Sequence, residues 1–545
     1  MSGRAAAWDM LLELLTAGGD RLVCGVPGDT PDLLDAADAA GGSVLTTRDQ
    51  RTAVFAAVGW SRVRRRTAVV LLHAGPGYLT ALPAVSEASS LRQPLLVLVV
   101  DAPEEGVGRG GFQELDPMDF RGGLYAWSHR VRSPAELGWA VTRALRTAEG
   151  PVGGPVLVAL SRTALDGLPA ERSGWARECR ALAADPPPAP AAPSASGVRE
   201  AAAVLRGARR PVVLLGGGAR DTLGDGLATG LAARLGARVL VTASGRGGYP
   251  ESRPEFAGVA GLYASRDGLR ALGGADVILA LGTALEETAR TGWTPAEGAR
   301  LVHVDHDPRV PGRAVPALGL VGDVRETALL LLDALPASGG DRPPPGAGRG
   351  PAPAPGARGT VTAPFFWRAL EEALRGLDRP VVLTQENGLC DLWGYHVPVF
   401  RRPDHVTCVV PGEQTVMGFG FGAAAGVALA GQPAVGVGGD VAMECALSSM
   451  LVAADRALDV LYVVLRNRSF GWPSLSRAGG RTTAFDGGRA YPELFAAAGA
   501  HARAVTSAAS LAPALDALLR LGGTRLLEVG ITGRHVVPGA AEHGS

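Results

Sequence analysis

The 545-residue sequence contains no lysine, so all 53 of its basic residues are arginines. This absence excludes enzymes that form a lysine imine with a substrate or with pyridoxal phosphate. It also excludes P-loop nucleotide sites, which need a lysine. The 53 acidic residues balance the arginines, and a net charge of zero gives no indication of a polyanionic partner such as nucleic acid.

Cysteine is also scarce. The five cysteines include no CxxC pair, which argues against a zinc site or a disulfide framework and favours a reduced, cytoplasmic protein; they are Cys24, Cys179, Cys390, Cys408 and Cys445. Apolar runs of about six residues are too short to cross a membrane, so no membrane partner is expected. Residues 1–16 are typical of an amphipathic helix rather than a signal sequence.

Short apolar segments alternate with helical patterns along the chain. This alternation predicts an α/β fold in which mostly parallel sheets are flanked by helices. Two proline-rich stretches separate three segments of ordinary domain size. We therefore predict domains over 1–184, 197–334 and 364–545, joined by linkers at 185–196 and 335–363.

Two polar residues end neighbouring predicted strands near the C-terminus. Asp440 ends the apolar run that starts at residue 434, Asn467 follows the run that starts at residue 460, and a helix is predicted over 443–456. A strand–helix–strand unit places the two strand ends side by side. Carboxylate and amide oxygens suit Mg²⁺, and a helix N-terminus suits phosphate. The pattern predicts a metal-anchored diphosphate site, although both residues could simply cap a helix and a turn.

Several ordered motifs resemble the thiamine-diphosphate enzymes of the acetolactate synthase, pyruvate oxidase and benzoylformate decarboxylase group. Gly439-Asp440-Val441 and Arg466-Asn467 are similar to that family's metal motif, Gly-Asp-Gly followed by Asn-Asn. The other matches are the turns at 25–28 and 75–77, Phe-Gln-Glu at 112–114 and Val-Met-Gly-Phe-Gly at 416–420. The likeness extends from about Val23 to Val529. It implies pyrimidine-binding, central and diphosphate-binding domains in that order.

The resemblance implies a cofactor site of two parts. Asp440, Asn467 and the backbone carbonyl of Ser469 would bind Mg²⁺. The thiamine diphosphate itself would contact Gly388, Gly439 and Val441 through its diphosphate, and Thr415 and Met417 through its pyrimidine. The Met417 side chain would form a wedge between the two cofactor rings. The central domain holds FAD in some members of the group, but FAD is not indicated here.

Gln50 is the largest departure from the family. The segment Gly59–Arg62 matches the family's Gly-Tyr-Ala-Arg and so places Gln50 where a catalytic glutamate promotes formation of the cofactor ylide. Glutamine cannot exchange a proton at neutral pH. Three interpretations remain: slower activation with Gln50 itself, a relocated acid with Asp49 the nearest, or cofactor binding without turnover.

Two further residues are candidates for catalysis. His73 occupies the position of an active-site histidine in benzoylformate decarboxylase, and Gln113 the position of an amide near the reacting carbons in related carboligases. Either side chain could instead be an ordinary structural group. The resemblance implies a carboligase or decarboxylase that acts on a 2-oxo acid with an acceptor aldehyde or oxo acid. It also implies a homodimer or homotetramer, because the family builds each site from two subunits. The alternative is a cofactor-binding protein with a structural or regulatory role.

Overall fold

The computed structural model describes residues 3–28, 30–166, 177, 181, 189–336, 348–477, 482–485 and 490–538. Of the two predicted linkers, residues 185–188 and 337–347 lie outside these ranges, as does Cys179. Within them, no helix has the length and apolarity that a membrane span requires. The domain boundaries stay a prediction.

The first sheet is built from six strands, five of them apolar, and is accompanied by helices. The strands are β1 Val23–Gly25, β2 Val44–Thr46, β3 Ala68–His73, β4 Leu95–Val100, β5 Trp127–Val131 and β6 Val156–Leu160; the helices are α1 Gly3–Thr16, α2 Leu33–Ala39, α3 Gln50–Arg64, α4 Pro76–Ser90, α5 Pro134–Ala148 and α6 Arg162–Asp166. The strand order is β2-β1-β3-β4-β6-β5. β4 is buried along its whole length, as expected for a parallel strand covered on both faces.

The second sheet has the order β12-β11-β10-β7-β8-β9. Its strands are β7 Pro211–Leu215, β8 Arg238–Val241, β9 Phe256–Val259, β10 Val277–Leu281, β11 Arg300–Asp305 and β12 Leu318–Val321; its helices are α7 Ala195–Arg206, α8 Gly217–Arg220, α9 Gly224–Leu235, α10 Arg266–Gly273, α11 Glu287–Arg290 and α12 Val324–Ala334. The central strand β10 pairs in parallel with β11 on one side and β7 on the other. Its first residue, Val277, lies opposite Arg300 of β11 and opposite Pro211 of β7.

The third sheet has the order β14-β13-β15-β16-β18-β17. Its strands are β13 Val381–Gln385, β14 Val406–Val409, β15 Ala434–Gly439, β16 Val460–Arg466, β17 His501–Val505 and β18 Thr524–Gly530; its helices are α13 Ala363–Arg375, α14 Phe419–Leu429, α15 Asp440–Cys445, α16 Leu447–Asp455, α17 Tyr491–Ala497 and α18 Ala508–Arg520. The three parallel, helix-flanked sheets confirm the predicted fold class.

The segment between β15 and β16 differs from its prediction in one respect. The two strands are neighbours, as expected. The single predicted helix over 443–456 is wrong, because α15 and α16 are separated at Ala446, whose φ of −119° and ψ of 17° are not helical. The turn at Gly418 packs against this break, where a methyl group on Gly418 would lie 3.2 Å from Cβ of Ala446.

Contacts between residues divide the chain into two compact units. The first comprises residues 1–189, 414–436 and 444–460, and the second comprises 190–413, 437–443 and 461–545. Helix α14 belongs to the first unit because it crosses α3 so closely that the backbones of the two helices are in contact. A methyl group on Gly426 would overlap the carbonyl oxygen of Ala56, and one on Gly59 would overlap that of Ala423. Only glycine permits this close crossing.

Candidate active site

The first unit contains a cavity of about 470 Å³ at the carboxyl edge of its sheet. Parallel α/β sheets bind ligands at this edge. The turns that follow β1, β3, β4 and β6 line the cavity, together with the N-terminus of α3. Gln50, His73 and Gln113, the three residues predicted to be catalytic, all line it. The fold therefore brings together side chains that lie up to 63 residues apart in the sequence.

Gln50 is the first residue of α3, and its neighbour Asp49 caps that helix. The Asp49 carboxylate accepts a hydrogen bond from the backbone N–H of Thr52 at 3.1 Å and also contacts Arg51. The Gln50 amide faces Gly77, close after β3. A Cβ atom added to Gly77 would lie 3.8 Å from Nε2 of Gln50. The carboxylate of Asp49 is thus committed to the helix end.

His73 ends β3 and lies against the glycine turn that follows β1. Its ring occupies the space that a side chain at Gly28 would need. Nε2 of His73 is 3.8 Å from Oδ2 of Asp32, which is too long for a hydrogen bond. The Asp32 carboxylate accepts hydrogen bonds from the N–H groups of Leu34 and Gly28 at 2.8 and 3.2 Å. Nε2 is buried and has no hydrogen-bond partner among the described residues, so it is available to a ligand.

Gln113 belongs to a glycine-rich loop that one carboxylate organises. Glu114 accepts hydrogen bonds from three backbone N–H groups, those of Gly108 at 2.5 Å, Gly111 at 2.9 Å and Gly110 at 3.1 Å. These bonds, that of Gly108 foremost, lower the pKa of Glu114. Gln113 has a left-handed φ of 56°, so the loop holds a backbone conformation that side chains disfavour.

Asp101 and Arg162 also line this cavity, and neither residue was predicted from the sequence. Asp101 follows β4, and its carboxylate lies 3.0 Å from Nε of Arg130. Burial raises the pKa of Asp101 to about 6, although the charge of Arg130 opposes the shift. Arg162 follows β6. The signal that could have found both is a charged residue within two positions after a wholly apolar strand.

Thr415 and Met417 lie in the turn before α14. Thr415 has a left-handed φ of 46°, and the Met417 side chain is nearly half exposed. The backbone N–H between them, that of Val416, donates to Oε2 of Glu87 at 2.8 Å. Glu87 lies on α4 and is completely buried. A carboxylate from another helix therefore fixes the turn that was predicted to bind the pyrimidine.

In the second unit, Asp440 contacts the turn that contains Asn467 and Ser469. Oδ2 of Asp440 accepts the backbone N–H of Arg468 at 2.7 Å, and Oδ1 accepts that of Val441 at 3.1 Å. Within the turn, Oδ1 of Asn467 accepts the N–H of Ser469 at 3.0 Å. The fold thus brings the three predicted metal ligands to one place.

The donor set at this turn fits Mg²⁺. It offers one carboxylate, one amide oxygen and one backbone carbonyl, all hard oxygen ligands that leave positions for phosphate oxygens. Burial raises the pKa of Asp391 to about 8, and nearby Asp440 adds to the shift. Oδ1 of Asp391 is buried without a hydrogen-bond partner among the described residues. A cation held by Asp440 would reduce this charge repulsion.

The glycines predicted to face the diphosphate have different surroundings. Gly388 donates its N–H to Oδ2 of Asp391 at 2.9 Å. Gly439 faces open space among the described residues, since none of them except its chain neighbours comes within 4 Å of where a Cβ would stand. A cavity of about 640 Å³ adjoins this region and is lined by Cys390, Asn467 and Ser469 among others. Burial raises the pKa of Cys390 to about 12, so its thiol is neutral.

Three family profiles match the chain in the order of its three sheets. They are described as the thiamine pyrophosphate enzyme N-terminal TPP-binding domain at residues 6–120, the central domain at 198–331 and the C-terminal TPP-binding domain at 386–529. The chain belongs to the thiamine pyrophosphate enzyme family. It is therefore a thiamine-dependent enzyme that forms or cleaves carbon–carbon bonds, and the resemblance stated from its motifs is confirmed.

Relatives in this family carry several activities. Acetolactate synthase isozyme 1 large subunit of Escherichia coli is 25% identical over 85% of this chain and 82% of its own length. Sulfoacetaldehyde acetyltransferase of Rhodobacter capsulatus is 30% identical over 52% of this chain, and probable 2-ketoarginine decarboxylase of Pseudomonas aeruginosa is 30% identical over 62%. These two matches span 47% and 59% of the relatives' own lengths.

Solved structures share the fold of this chain. Benzoylformate decarboxylase from Polynucleobacter necessarius superposes with a TM-score of 0.84 at 20% identity over 99% of this chain and 100% of its own. A 4-hydroxybenzoylformate decarboxylase from Rhodococcus jostii RHA1 gives 0.84 at 22% identity over 96% of this chain and 99% of its own.

Proposed function

We propose that the protein is a thiamine-diphosphate- and Mg²⁺-dependent carboligase or decarboxylase that acts on a 2-oxo acid. The observation that carries this proposal is the contact of Asp440 with the turn at 467–469. That contact brings the Asp440 carboxylate to the turn of Asn467 and Ser469, and so supports a site of three hard oxygen donors at the carboxyl edge of a parallel sheet. Asp440, Asn467 and the Ser469 carbonyl would hold the metal. Bound thiamine diphosphate would supply the nucleophilic carbon and the electron sink that loss of CO₂ from a 2-oxo acid needs.

The residues of the first unit would position the other reactants. Thr415 and Met417 would bind the pyrimidine through backbone groups, in the turn that Glu87 fixes. Gln50 would offer the pyrimidine a neutral hydrogen bond in place of a carboxylate. His73 would hold or donate a proton at Nε2, and Gln113 would orient the substrate through its amide. We further propose that two subunits complete each site, so that the active form is at least a homodimer.

The proposal is tested by a screen of 2-oxo acids for CO₂ release, with thiamine diphosphate and Mg²⁺ added. We expect at least one 2-oxo acid to release CO₂ only when the cofactor is present. Asp440→Ala should abolish this release and the Mg²⁺-dependent cofactor affinity measured by calorimetry, because the metal loses its carboxylate ligand.

Asp516→Ala is the matched control, since Asp516 is an exposed aspartate of α18. It should behave as wild type in both measurements. Unchanged cofactor affinity in Asp440→Ala would reject the metal site. Cofactor binding without CO₂ release from any 2-oxo acid would favour the alternative, a cofactor-binding protein with little turnover.

A further inference from the structure

Arg162 brings an uncompensated positive charge into the cavity that contains Gln50 and His73. It is the first residue of α6 and is partly buried. Its Nε donates to the backbone carbonyl of Asp101 at 3.4 Å, which anchors the base of the guanidinium. Neither terminal nitrogen of Arg162 has a hydrogen-bond or ion-pair partner among the described residues. A partly buried guanidinium of this kind is an anion-binding group.

The acidic residues of the cavity do not neutralise this charge. The Asp101 carboxylate lies 3.0 Å from Nε of Arg130, and Arg130 is also bound in a two-bond fork by Asp116 at 2.6 and 3.1 Å. The Asp32 carboxylate accepts two backbone N–H groups, that of Gly28 in the turn after β1 and that of Leu34 at the start of α2. Asp32 is thus engaged by backbone groups, and Asp101 faces Arg130 through Oδ2, while its Oδ1 has no hydrogen-bond partner among the described residues. Neither carboxylate forms an ion pair with Arg162, so its guanidinium can pair with an anionic ligand.

Arg162 lies at some distance from His73, which marks the proposed reacting end of the cavity. His73 ends β3 and Arg162 follows β6, and only β4 lies between these two strands in the sheet. Two strand spacings amount to about 10 Å. Apolar side chains, including Val100, Phe112 and Leu165, line the same cavity. This arrangement suits a chain of several carbons with an anionic group at its far end.

We propose that Arg162 binds a second carboxylate of the substrate, so that the preferred 2-oxo acid is a dicarboxylic one. This inference rests on the proposed function for the reacting end of the cavity. The guanidinium would hold the remote carboxylate by a charged two-bond fork, while the 2-oxo group lies near His73 and Gln113. The apolar wall would contact the methylene groups between them.

Two acids of equal length test the proposal. 2-Oxohexanedioate has a carboxylate at its far end, whereas 2-oxohexanoate has a methyl group there. With holoenzyme, we expect Arg162→Met to lower kcat/KM for 2-oxohexanedioate by about 10- to 100-fold, the effect of a lost charged hydrogen bond. kcat/KM for 2-oxohexanoate should change by less than about threefold. Arg162→Lys should retain part of the preference, since it keeps the charge without the fork.

A binding measurement separates this proposal from the proposed function. Hexanedioate and hexanoate lack the oxo group and cannot react, so an NMR titration of holoenzyme reports their affinities without turnover. We expect wild type to bind hexanedioate at least about tenfold more tightly than hexanoate, and Arg162→Met to lose that difference. Arg121→Met is the matched control, because Arg121 is exposed and lies outside the cavity lining. It should retain the difference.

Equal affinities in wild type, or a preference that survives in Arg162→Met, would overturn the role of Arg162. The proposed function fails separately, if wild type consumes neither 2-oxo acid nor any other in the CO₂ screen. A wild type that binds hexanedioate preferentially through Arg162 and yet shows no turnover would support the anion site and reject the reaction.

Discussion

Gln50 places an amide at the start of α3, where the resemblance implies a catalytic carboxylate, and the expected consequence concerns proton exchange rather than folding. An amide fills a similar volume and still forms hydrogen bonds, but it cannot exchange a proton at neutral pH. Asp49 is a poor candidate for a relocated acid, because its carboxylate accepts the N–H of Thr52 at the helix end. Slower activation through Gln50 is the interpretation that agrees with an enzyme of this family, and binding without turnover is the alternative against which it is tested.

His73 gives the first prediction at the residue scale. Its Nε2 is buried in the cavity without a hydrogen-bond partner among the described residues, so it can serve a ligand. We expect His73→Ala to lower kcat by roughly 10²–10⁴-fold, the range typical of a lost general acid, while cofactor affinity changes little. His129→Ala is the control, since His129 lies on β5 outside the cavity lining. Loss of the circular dichroism spectrum in His73→Ala would contradict a catalytic role.

Asp101 gives a prediction about pH. Burial raises its pKa to about 6, above the value of about 4 expected for an unfolded chain. The folded state therefore binds this proton more tightly, and the contribution of Asp101 to stability falls as the pH rises from about 4 to about 6. We expect Asp101→Asn to remove about 1–2 kcal/mol of this pH dependence, after allowance for solvent screening.

Thermal unfolding of wild type and Asp101→Asn at half-unit steps between pH 4 and pH 8 measures the difference. Asp38→Asn is the control, because Asp38 is an exposed residue of α2. It should leave the wild-type pH dependence unchanged. A stability difference between Asp101→Asn and wild type that stays constant across the whole range would contradict the raised pKa.

At the scale of elements, the loop at 106–114 depends on one side chain. Glu114 accepts three backbone N–H groups and so holds Phe112 and Gln113 at the cavity. We expect Glu114→Ala to open this loop and to speed tryptic cleavage after Arg109 several-fold. Glu105→Ala, which removes an exposed carboxylate nearby, should leave cleavage at the wild-type rate. Equal cleavage rates in all three proteins would show that Glu114 does not hold the loop.

The crossing of α3 and α14 gives a second prediction for elements. A methyl group on Gly426 would overlap the carbonyl oxygen of Ala56, so the helices would have to separate. We expect Gly426→Ala to destabilise the protein by about 1–3 kcal/mol or more and to lower Tm. Gly226→Ala is the control, because Gly226 lies in helix α9 with open space around it, and alanine favours helices by up to about 1 kcal/mol. A Gly426→Ala protein as stable as wild type would refute this close packing.

At the scale of the whole molecule, regular patterns were predictable and particular contacts were not. The strand that ends at His73 and the strands that end just before Asp440 and Asn467 were predicted, because buried parallel strands form continuous apolar runs. The helix break at Ala446 was missed; in the fold it lies against the turn at Gly418, far away in the sequence. Local propensity carries no information about such a partner.

For the candidate site, the residues that belong to motifs were predictable, and those that depend on contacts distant in the sequence were not. Motif resemblance named Gln50, His73 and Gln113, and the fold places all three on one cavity. Asp101 and Arg162 were not named, because their importance comes from strand order: β4 and β6 are neighbours in the sheet although more than 50 residues separate them. The carboxylate of Glu87 was missed for the same reason, since α4 meets the turn at 415–417 only in the folded chain.

The central claim is that this chain is a working thiamine-diphosphate enzyme despite Gln50. The most direct test is deuterium exchange of the thiazolium proton of bound thiamine diphosphate, measured by quenched-flow NMR. The account predicts that wild type exchanges this proton faster than free cofactor, and that Gln50→Glu exchanges it faster still because the carboxylate can share a proton with the pyrimidine. Exchange by wild type at the rate of free cofactor, with no 2-oxo acid consumed, would contradict the claim.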